Sequence, residues 1–462
     1  MSVRYAGRFT RVLRSSSMNR ETSIGTDFSE TENECWAQLC SSLTETISAK
    51  PSFRRVLSNR PFSLLWAGQL VSQSGDFIFD VAAIWYVLQL TGDPFKVGVA
   101  VATILLPAIF IGPIAGVYLD RFNRRDVMLA SNIVQAGVVG MIGVLYSLGS
   151  LSFLVLLVML FVLNSGAQFV RPAVTAMIPG MTEKEDLSTA SSLFSLSTSV
   201  NQVAGYGIGG IIVLALGVAV PFYYDSLTFL FAAAMLSLIS RSLGAIPKGI
   251  HDSASLGSDS VSFREKFAQG LRFIRGSRFL VQLVIVGLVV NFFGAGVFAL
   301  LAPYAKNVIG GNAGTYGAIL TTYSVGAVIG SVLVGKLQLR NYVGKMLFVG
   351  VITQGFVTVG IGLTTVFFLA LALSFAVGVL QTMVNVPMTV LVQAKVPGDM
   401  LGRVFSSLVA LLTIVAPVSS ALAGGLATSF SIGGTFELFG LLIVLACGVG
   451  YLSFKDLRDA SY

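Results

Sequence analysis

From residue 62 to residue 454 the chain alternates long apolar segments with short polar ones. Twelve such segments stand at 62–90, 95–119, 126–148, 151–178, 187–217, 219–240, 279–305, 313–337, 342–363, 365–393, 402–427 and 432–454. About 20 apolar residues carry a helix across roughly 30 Å of hydrocarbon. The pattern therefore predicts an all-α membrane protein of twelve transmembrane helices. Residues 1–58, rich in Ser, Thr, Arg and Glu, show no apolar periodicity and read as a disordered cytoplasmic tail. No charged n-region and apolar h-region of a cleavable signal peptide is visible there, so the first span is expected to serve as the targeting signal. Met18 offers an alternative start.

Several spans carry polar positions in register. In the first, Gln69, Gln73, Asp76 and Asp80 follow the spacing i, i+4, i+7, i+11. At about 100° per residue these four share a stripe roughly 60° wide. Asn164, Gln168, Arg171 and Thr175 repeat the spacing in the fourth span, and Ser195, Ser199, Gln202 and Tyr206 repeat it in the fifth. A charge at the bilayer centre costs about 2.5–3.5 kcal/mol on insertion scales, so two aspartates are not expected to face lipid. The three stripes should instead form one polar wall of a cavity. The corresponding spans later in the chain are poorer in charge: Asn291 in the seventh, Gln381 and Asn385 in the tenth, Ser406 and Thr413 in the eleventh. Phe292, Phe293, Phe298 and Tyr323 stand near them. An asymmetric cavity follows, ionisable on one side and apolar-aromatic on the other, suited to an amphipathic or lipophilic substrate. The plainer alternatives are helix packing or lipid contact for each aromatic, and a static hydrogen-bonded pair for the two aspartates.

A helical rise of about 1.5 Å per residue puts Asp76 near the midplane and Asp80 about 6 Å nearer the outside. On the same count Arg171 lies on the inner side, within reach of Asp76 alone. Asp80, among apolar neighbours, is therefore assigned as the proton-carrying carboxylate, and Asp76 as the partner that orients Arg171.

Composition agrees with a membrane location: 54% of the 462 residues are hydrophobic and 11% charged, against about 25% charged in a soluble domain. With the tail inside, only Lys96 and Lys306 of the 30 Lys and Arg residues fall outside, a positive-inside distribution that places both termini in the cytoplasm. It also accounts for the net charge of +8 without nucleic acid. The connection 241–278 divides a six-helix half (59–240) from a second (279–455), with 456–462 as the cytoplasmic C-terminus. Within that linker, Phe263, Phe267, Leu271 and Ile274 share one face, predicting an amphipathic helix at the inner membrane surface; a calmodulin-like partner site is the remote alternative. The halves repeat. Pro172, Ser191-Ser192-Leu193 and Gly209-Gly210 recur 215 residues later as Pro387, Ser406-Ser407-Leu408 and Gly424-Gly425. Gly98, Thr103, Gly116 and Arg121 recur after 219 as Gly317, Thr322, Gly335 and Arg340. Such repeats belong to transporter architectures, with the substrate near the midplane between them.

Between the second and third spans stands GVYLDRFNRRDVM. It resembles the loop motif of the major facilitator superfamily, with Gly116, Asp120, Arg121, Arg124 and Arg125 in place and Asn123 where the family usually has glycine. Asn is the next best residue for a left-handed backbone, so the turn is expected to survive. The resemblance implies a charge latch holding the two halves closed on the inside; a solvated positive-inside loop is the alternative. GQLVSQSGDFIF, VRPAVTAMIPGMTEKEDLSTASSLFSL and FYYDSLTFLF are similar to drug:proton antiporters of the macrolide-efflux and enterobactin-exporter branch. The likeness covers residues 60 to about 455. In VAGYGIGGII, Tyr206 replaces the proline of the antiporter glycine motif. The usual place of the family's G-D pair implies the reverse assignment of Asp76 and Asp80.

Two motif matches are refused. GSVLVGKL lacks the Ser or Thr of a P-loop, since Leu337 stands there, and it ends an apolar helix instead of following a strand. Gly205, Gly207 and Gly210 spell a dinucleotide fingerprint inside a membrane helix, where close packing is the ordinary cause. Cys35, Cys40 and Cys447 suggest no disulfide framework, and with His251 as the one histidine no metal site or cofactor is expected. No nucleophile–base constellation supports an enzyme. The expected protein is a monomeric, proton-coupled exporter of small lipophilic or amphipathic molecules in the cell membrane. A siderophore or lipid carrier on the same scaffold, or a membrane sensor that lost transport, are the competing readings. The expected cavity residues are Gln69, Gln73, Asn164, Gln168, Ser199, Gln202, Asn291, Phe292, Gln381 and Asn385.

Overall fold

Twelve long helices occupy the twelve apolar segments. They are α1 (Arg60–Thr91), α2 (Pro94–Phe110, resuming as Gly112–Leu119), α3 (Arg124–Ser147), α4 (Phe153–Met177), α5 (Leu187–Leu216) and α6 (Ala219–Ser237). Then follow α7 (Arg278–Ala299), α8 (Ala313–Lys336), α9 (Val343–Leu363), α10 (Phe367–Lys395), α11 (Gly398–Ser429) and α12 (Ile432–Ser453). The computed structural model describes residues 53–119, 121–244, 263–336 and 342–460. Expectations about Asp120, Leu337, Arg340, His251, Cys35, Cys40 and the chain before Phe53 lie outside the described residues. Eleven of the twelve helices are long and apolar enough to cross a membrane by length and composition. The exception is α1, whose 32 residues are interrupted by the Gln69–Gln73–Asp76–Asp80 stripe.

Helix ends follow local chemistry. The Asp93 carboxylate accepts from the Phe95 amide at 2.9 Å and Pro94 opens α2, where its missing N–H costs nothing. Gly92, at φ +64°, closes α1 in the left-handed region that a side chain would strain. The break in α2 precedes Pro113, whose ring denies the helix an interior hydrogen bond.

At Asn123 the structure corrects the expectation of a left-handed turn. Its φ is −62° and ψ 117°, and its Oδ1 accepts from the amides of Arg125 (3.1 Å) and Asp126 (3.4 Å). Asparagine caps α3 here because a short side-chain acceptor satisfies amides that the first turn leaves unpaired. Asn123→Ala should therefore lower stability in detergent by about 1 kcal/mol, whereas Asn123→Gly costs a few tenths. Equal unfolding midpoints for Asn123→Ala and the parent would remove the capping role.

Helices α1–α6 pack among themselves through polar contacts in an apolar surround. Trp66 Nε1 donates to Ser197 Oγ (2.9 Å), Asn201 Nδ2 to the Leu70 carbonyl (2.7 Å) and Thr198 Oγ1 to Gln73 Oε1 (2.9 Å), joining α1 to α5. Ser131 Oγ donates to the Gly166 carbonyl between α3 and α4, and Ser226 Oγ to the Ala136 carbonyl between α6 and α3, each at 2.8 Å. Outward faces carry side chains such as Leu154, Leu214, Phe368 and Leu452, all exposed, as a lipid-facing belt requires. Residues 53–58, assigned from sequence to the disordered tail, form a helix (Phe53–Ser58). Val56 is buried, and Arg55 pairs with Glu183 and Asp186 in the α4–α5 connection. The amphipathic linker helix (Phe263–Gly276) lies against the start of α11: Ser407 Oγ donates to the Phe267 carbonyl (3.2 Å), and Ile274 is buried.

The two halves meet mainly through α2 against α11 and α5 against α8, and the repeated glycines sit at both crossings. A Cβ on Gly98 would run into the Ser420 carbonyl and stand 3.2 Å from Gly424 Cα. A Cβ on Gly317 would stand 2.6 Å from the Tyr206 carbonyl and 2.8 Å from Gly210 Cα. Only a residue without a side chain permits such an approach. Both crossings lie toward the end bearing the short turns after α1, α5 and α7. At the linker end a Cβ on either repeat partner, Gly116 or Gly335, would meet nothing within 4 Å among the described residues. Ile114, Val117, Tyr118 and Arg121 are exposed there. The halves are thus closed at one end and parted at the other.

Candidate functional site

Two cavities occupy the space between the helices, and Asp80 lines both. The first, about 580 Å³, is polar. Gln69, Gln73 and Asp76 line it from α1, Asn164, Arg171 and Thr175 from α4, and Ser195 and Thr198 from α5. It runs past Ile178 and Ser191 toward the linker end. The second, about 420 Å³, is apolar and aromatic, lined by Ile104, Phe298, Tyr206, Tyr316 and Tyr323 with Asn291, Gln354 and Gln381. The asymmetry expected from the stripes appears in this arrangement. The polar cavity is lined from α1, α4 and α5 and also by Asn132 and Gln135 of α3, and the aromatic cavity chiefly from α7–α10.

The structure does not bring every expected residue to these walls. Gln168 turns its amide to the Asn164 carbonyl (3.3 Å), and neither it, Ser199 nor Gln202 lines a cavity. Gln202, one turn before Tyr206 on α5, is half-buried. Phe292 packs edge-on against Phe293 at 5.1 Å and near Phe439, and its carbonyl accepts from Ser419, so it serves the α7–α11–α12 contact. Asn385 is exposed and lines neither cavity.

Arg171 is exposed to the polar cavity and forms no ion pair within 4.0 Å among the described residues. The expected Asp76–Arg171 contact is therefore not made in this conformation.

Of the loop motif, Arg124 and Arg125 serve the first half in this conformation. Arg124 Nη1 donates to the Ala176 carbonyl (3.2 Å), near the end of α4. Arg125 Nε and Nη2 donate to the carbonyls of Leu236 (3.1 Å) and Ser237 (2.8 Å) at the end of α6. Both donate to carbonyls in the last turn of a helix, where intrahelical amide partners run out. Asp126 bridges Arg125 (2.8 Å) and Arg241 (2.5 Å). Gly116 and Arg121 remain exposed on the parted face.

Several buried polar residues escaped the sequence reading, Asn132 and Gln135 on the polar cavity among them. Asp225 on α6 is fully buried, and its Oδ1 accepts from Thr228 Oγ1 (3.1 Å) while Oδ2 has no partner among the described residues. Its carboxylate lies against Gly75, where a Cβ would collide with it, so α1 and α6 meet beside Asp76. A lone acid within an apolar span was the available signal, present in FYYDSLTFLF. Gln354 on α9 is 5% exposed and has no stripe around it to mark it.

Comparison with known proteins agrees with this architecture. The model of the family described as "Transmembrane secretion effector" matches residues 54–459. Macrolide efflux protein A of Streptococcus pyogenes is 24% identical over 390 residues, covering 83% of this chain and 93% of that protein. The multidrug efflux pump Tap of Mycolicibacterium fortuitum is 24% identical over 411 residues, covering 86% and 97%. Among solved structures, a bacterial homolog of the human lysosomal transporter Spinster, inward-facing and unoccupied, superposes with a TM-score of 0.68 at 15% identity, over 87% of this chain and 98% of that one. A D-xylose–proton symporter superposes at 0.61 with 14% identity, over 89% and 100%. These structures share the fold alone. The matched span takes in all twelve helices and the parted halves around Asp80, and the chain belongs to the transmembrane secretion effector family of major facilitator superfamily transporters.

Proposed function

We propose that the protein exports lipophilic or amphipathic small molecules across the cell membrane by alternating access, driven by the proton gradient. The observation that carries this reading is the position of Asp80, a carboxylate common to the polar cavity and the aromatic one. A proton acceptor there senses both the water-accessible path and the substrate compartment. Macrolide and multidrug efflux by relatives supports the direction of transport. Asp76 and Arg171 complete the ionisable wall, with Asp225 behind it.

The proposed orientation has both termini cytoplasmic, so the parted linker end opens inward and the short-loop end is closed outward. A cysteine in the 241–278 linker that reacts with an impermeant reagent in intact cells would overturn that orientation. The latch reading belongs here too: Asp120→Asn should lower transport without lowering the amount of protein in the membrane. Parental transport by that variant would return the loop to a solvated one.

Export is tested in a bacterial strain lacking its own pumps, challenged with a panel of lipophilic amines and macrolides. Expression should raise the inhibitory concentration of at least one compound several-fold, and a protonophore should abolish the difference. Everted vesicles should lose their pH gradient when that compound is added. An unchanged panel together with an undisturbed gradient would sink the proposal.

A further inference from the structure

Gln381 brings an amide from α10 into the wall of the aromatic cavity, where it is half-buried. Its Oε1 accepts from Nε2 of Gln354 on α9 at 2.9 Å. Its own Nε2 donates to no acceptor among the described residues. Nor is that nitrogen shut away. The buried side-chain atoms left unpartnered among the described residues are Asn132 Oδ1, Asp225 Oδ2 and Gln354 Oε1. Gln381 Nε2 therefore keeps accessible surface, on a residue that lines the cavity. The nitrogens of the other two amides in this wall have partners, Gln354 in Gln381 and Asn291 in the Gly287 carbonyl (2.9 Å). Gln354 maintains the arrangement at a cost. It is 5% exposed and its Oε1 is unpaired among the described residues, and an unpaired buried acceptor is unfavourable. What it provides is orientation. With Oε1 of Gln381 tied to α9, the amide is turned so that Nε2 is left for the cavity. Val377, one turn earlier on α10, and Val290 and Phe298 of α7 line the same cavity. A hydrogen bond made in such surroundings is stronger than one made in water.

We propose that Gln381 Nε2 is a specificity-determining donor that recognises a carbonyl oxygen of the substrate, with Gln354 as the positioning residue behind it. The aromatic cavity then takes compact aromatic ketones and amides. This rests on the export reading above and specifies its substrate class. A carbonyl oxygen accepts and does not donate, which is what an amide nitrogen without a partner requires. The aromatic side chains take up the apolar body, and a volume of about 420 Å³ suits a small drug-sized molecule. An analogue of the same outline with a methylene in place of the carbonyl enters the cavity but leaves Nε2 unpaired. Sites built this way discriminate against it.

The test uses a matched pair of uncharged probes, xanthone and xanthene, which share one three-ring outline and differ by a carbonyl in place of a methylene. Binding of each, tritiated, is measured to the full-length protein in nanodiscs, with uptake by empty nanodiscs subtracted. The parent should prefer xanthone by about tenfold, the worth of one good hydrogen bond. Gln381→Met, unbranched and close in volume, should abolish the preference by weakening xanthone alone. Gln354→Met should lower the preference by freeing the Gln381 amide to turn, and leave xanthene binding unchanged. A parent that binds both probes equally overturns the proposal without any variant having to fold. So does a Gln381→Met protein that keeps the preference, or one that weakens both probes in parallel while melting normally. A Gln354→Met protein with the full parental preference overturns the positioning role. If neither probe binds the parent, the substrate class is wrong; the efflux panel then decides separately whether export itself stands.

Discussion

Asp80→Asn abolishes transport against a gradient and leaves transport down one. Asparagine matches aspartate in shape, so the walls of both cavities keep their packing at this position. What disappears is the ability to bind and release a proton at the one carboxylate that both compartments touch. The expected loss is at least 100-fold in pH-driven accumulation, the order of effect seen when a positioned proton-transfer group is removed. Substrate counterflow, which needs no proton, should survive at a measurable rate. The two are read in proteoliposomes loaded at one pH and diluted into another. Asp76→Asn supplies the contrast. Asp76 lines only the polar cavity, so its loss should reduce the rate while some dependence on the pH gradient persists. If Asp76→Asn removes that dependence and Asp80→Asn retains it, the roles are exchanged.

The helices were legible because lipid imposes a length and a composition that few other environments do. α5, expected over 187–217, runs Leu187–Leu216, and α12, expected over 432–454, runs Ile432–Ser453. The polar stripe of α1 was legible for the same reason, since carboxylates in a membrane span must face something other than lipid. Side-chain direction at half-exposed positions was not. Gln168 lies on the expected stripe but spends its amide within its own helix, an outcome that periodicity cannot distinguish from cavity lining. Gln354 was hidden for the opposite reason. It is a single polar residue whose meaning depends on Gln381 of the next helix. Asn123 shows a third cause: two conformations favour asparagine, and choosing between a left-handed turn and a helix cap depends on the amides of Arg125 and Asp126.

Leucine at Gly98 or at Gly317 should hold the short-loop end open, and leucine at Gly116 or Gly335 should do the reverse. At the closed crossings the backbone of one half occupies the place of the missing side chain: the Ser420 carbonyl against Gly98, and the Tyr206 carbonyl and Gly210 Cα against Gly317. Overpacking a tight contact costs about 1–3 kcal/mol for small additions. Since only the conformation with this end closed bears that cost, the balance between the two states shifts by about five- to 150-fold. Leucine, with three further carbons, belongs at the upper limit. Gly116 and Gly335 have nothing within 4 Å in this conformation, so a side chain there is accepted now and resisted when the linker end closes. The measurement is labelling by an impermeant thiol reagent of a cysteine at Val101, which lines the aromatic cavity from α2. Applied from the short-loop side, the reagent should label Gly98→Leu and Gly317→Leu at least tenfold faster than the parent. Gly116→Leu and Gly335→Leu should be slower than the parent, and all four should lose most transport. Equal labelling across the four variants would mean that these repeated glycines only pack the halves and do not set which end is open.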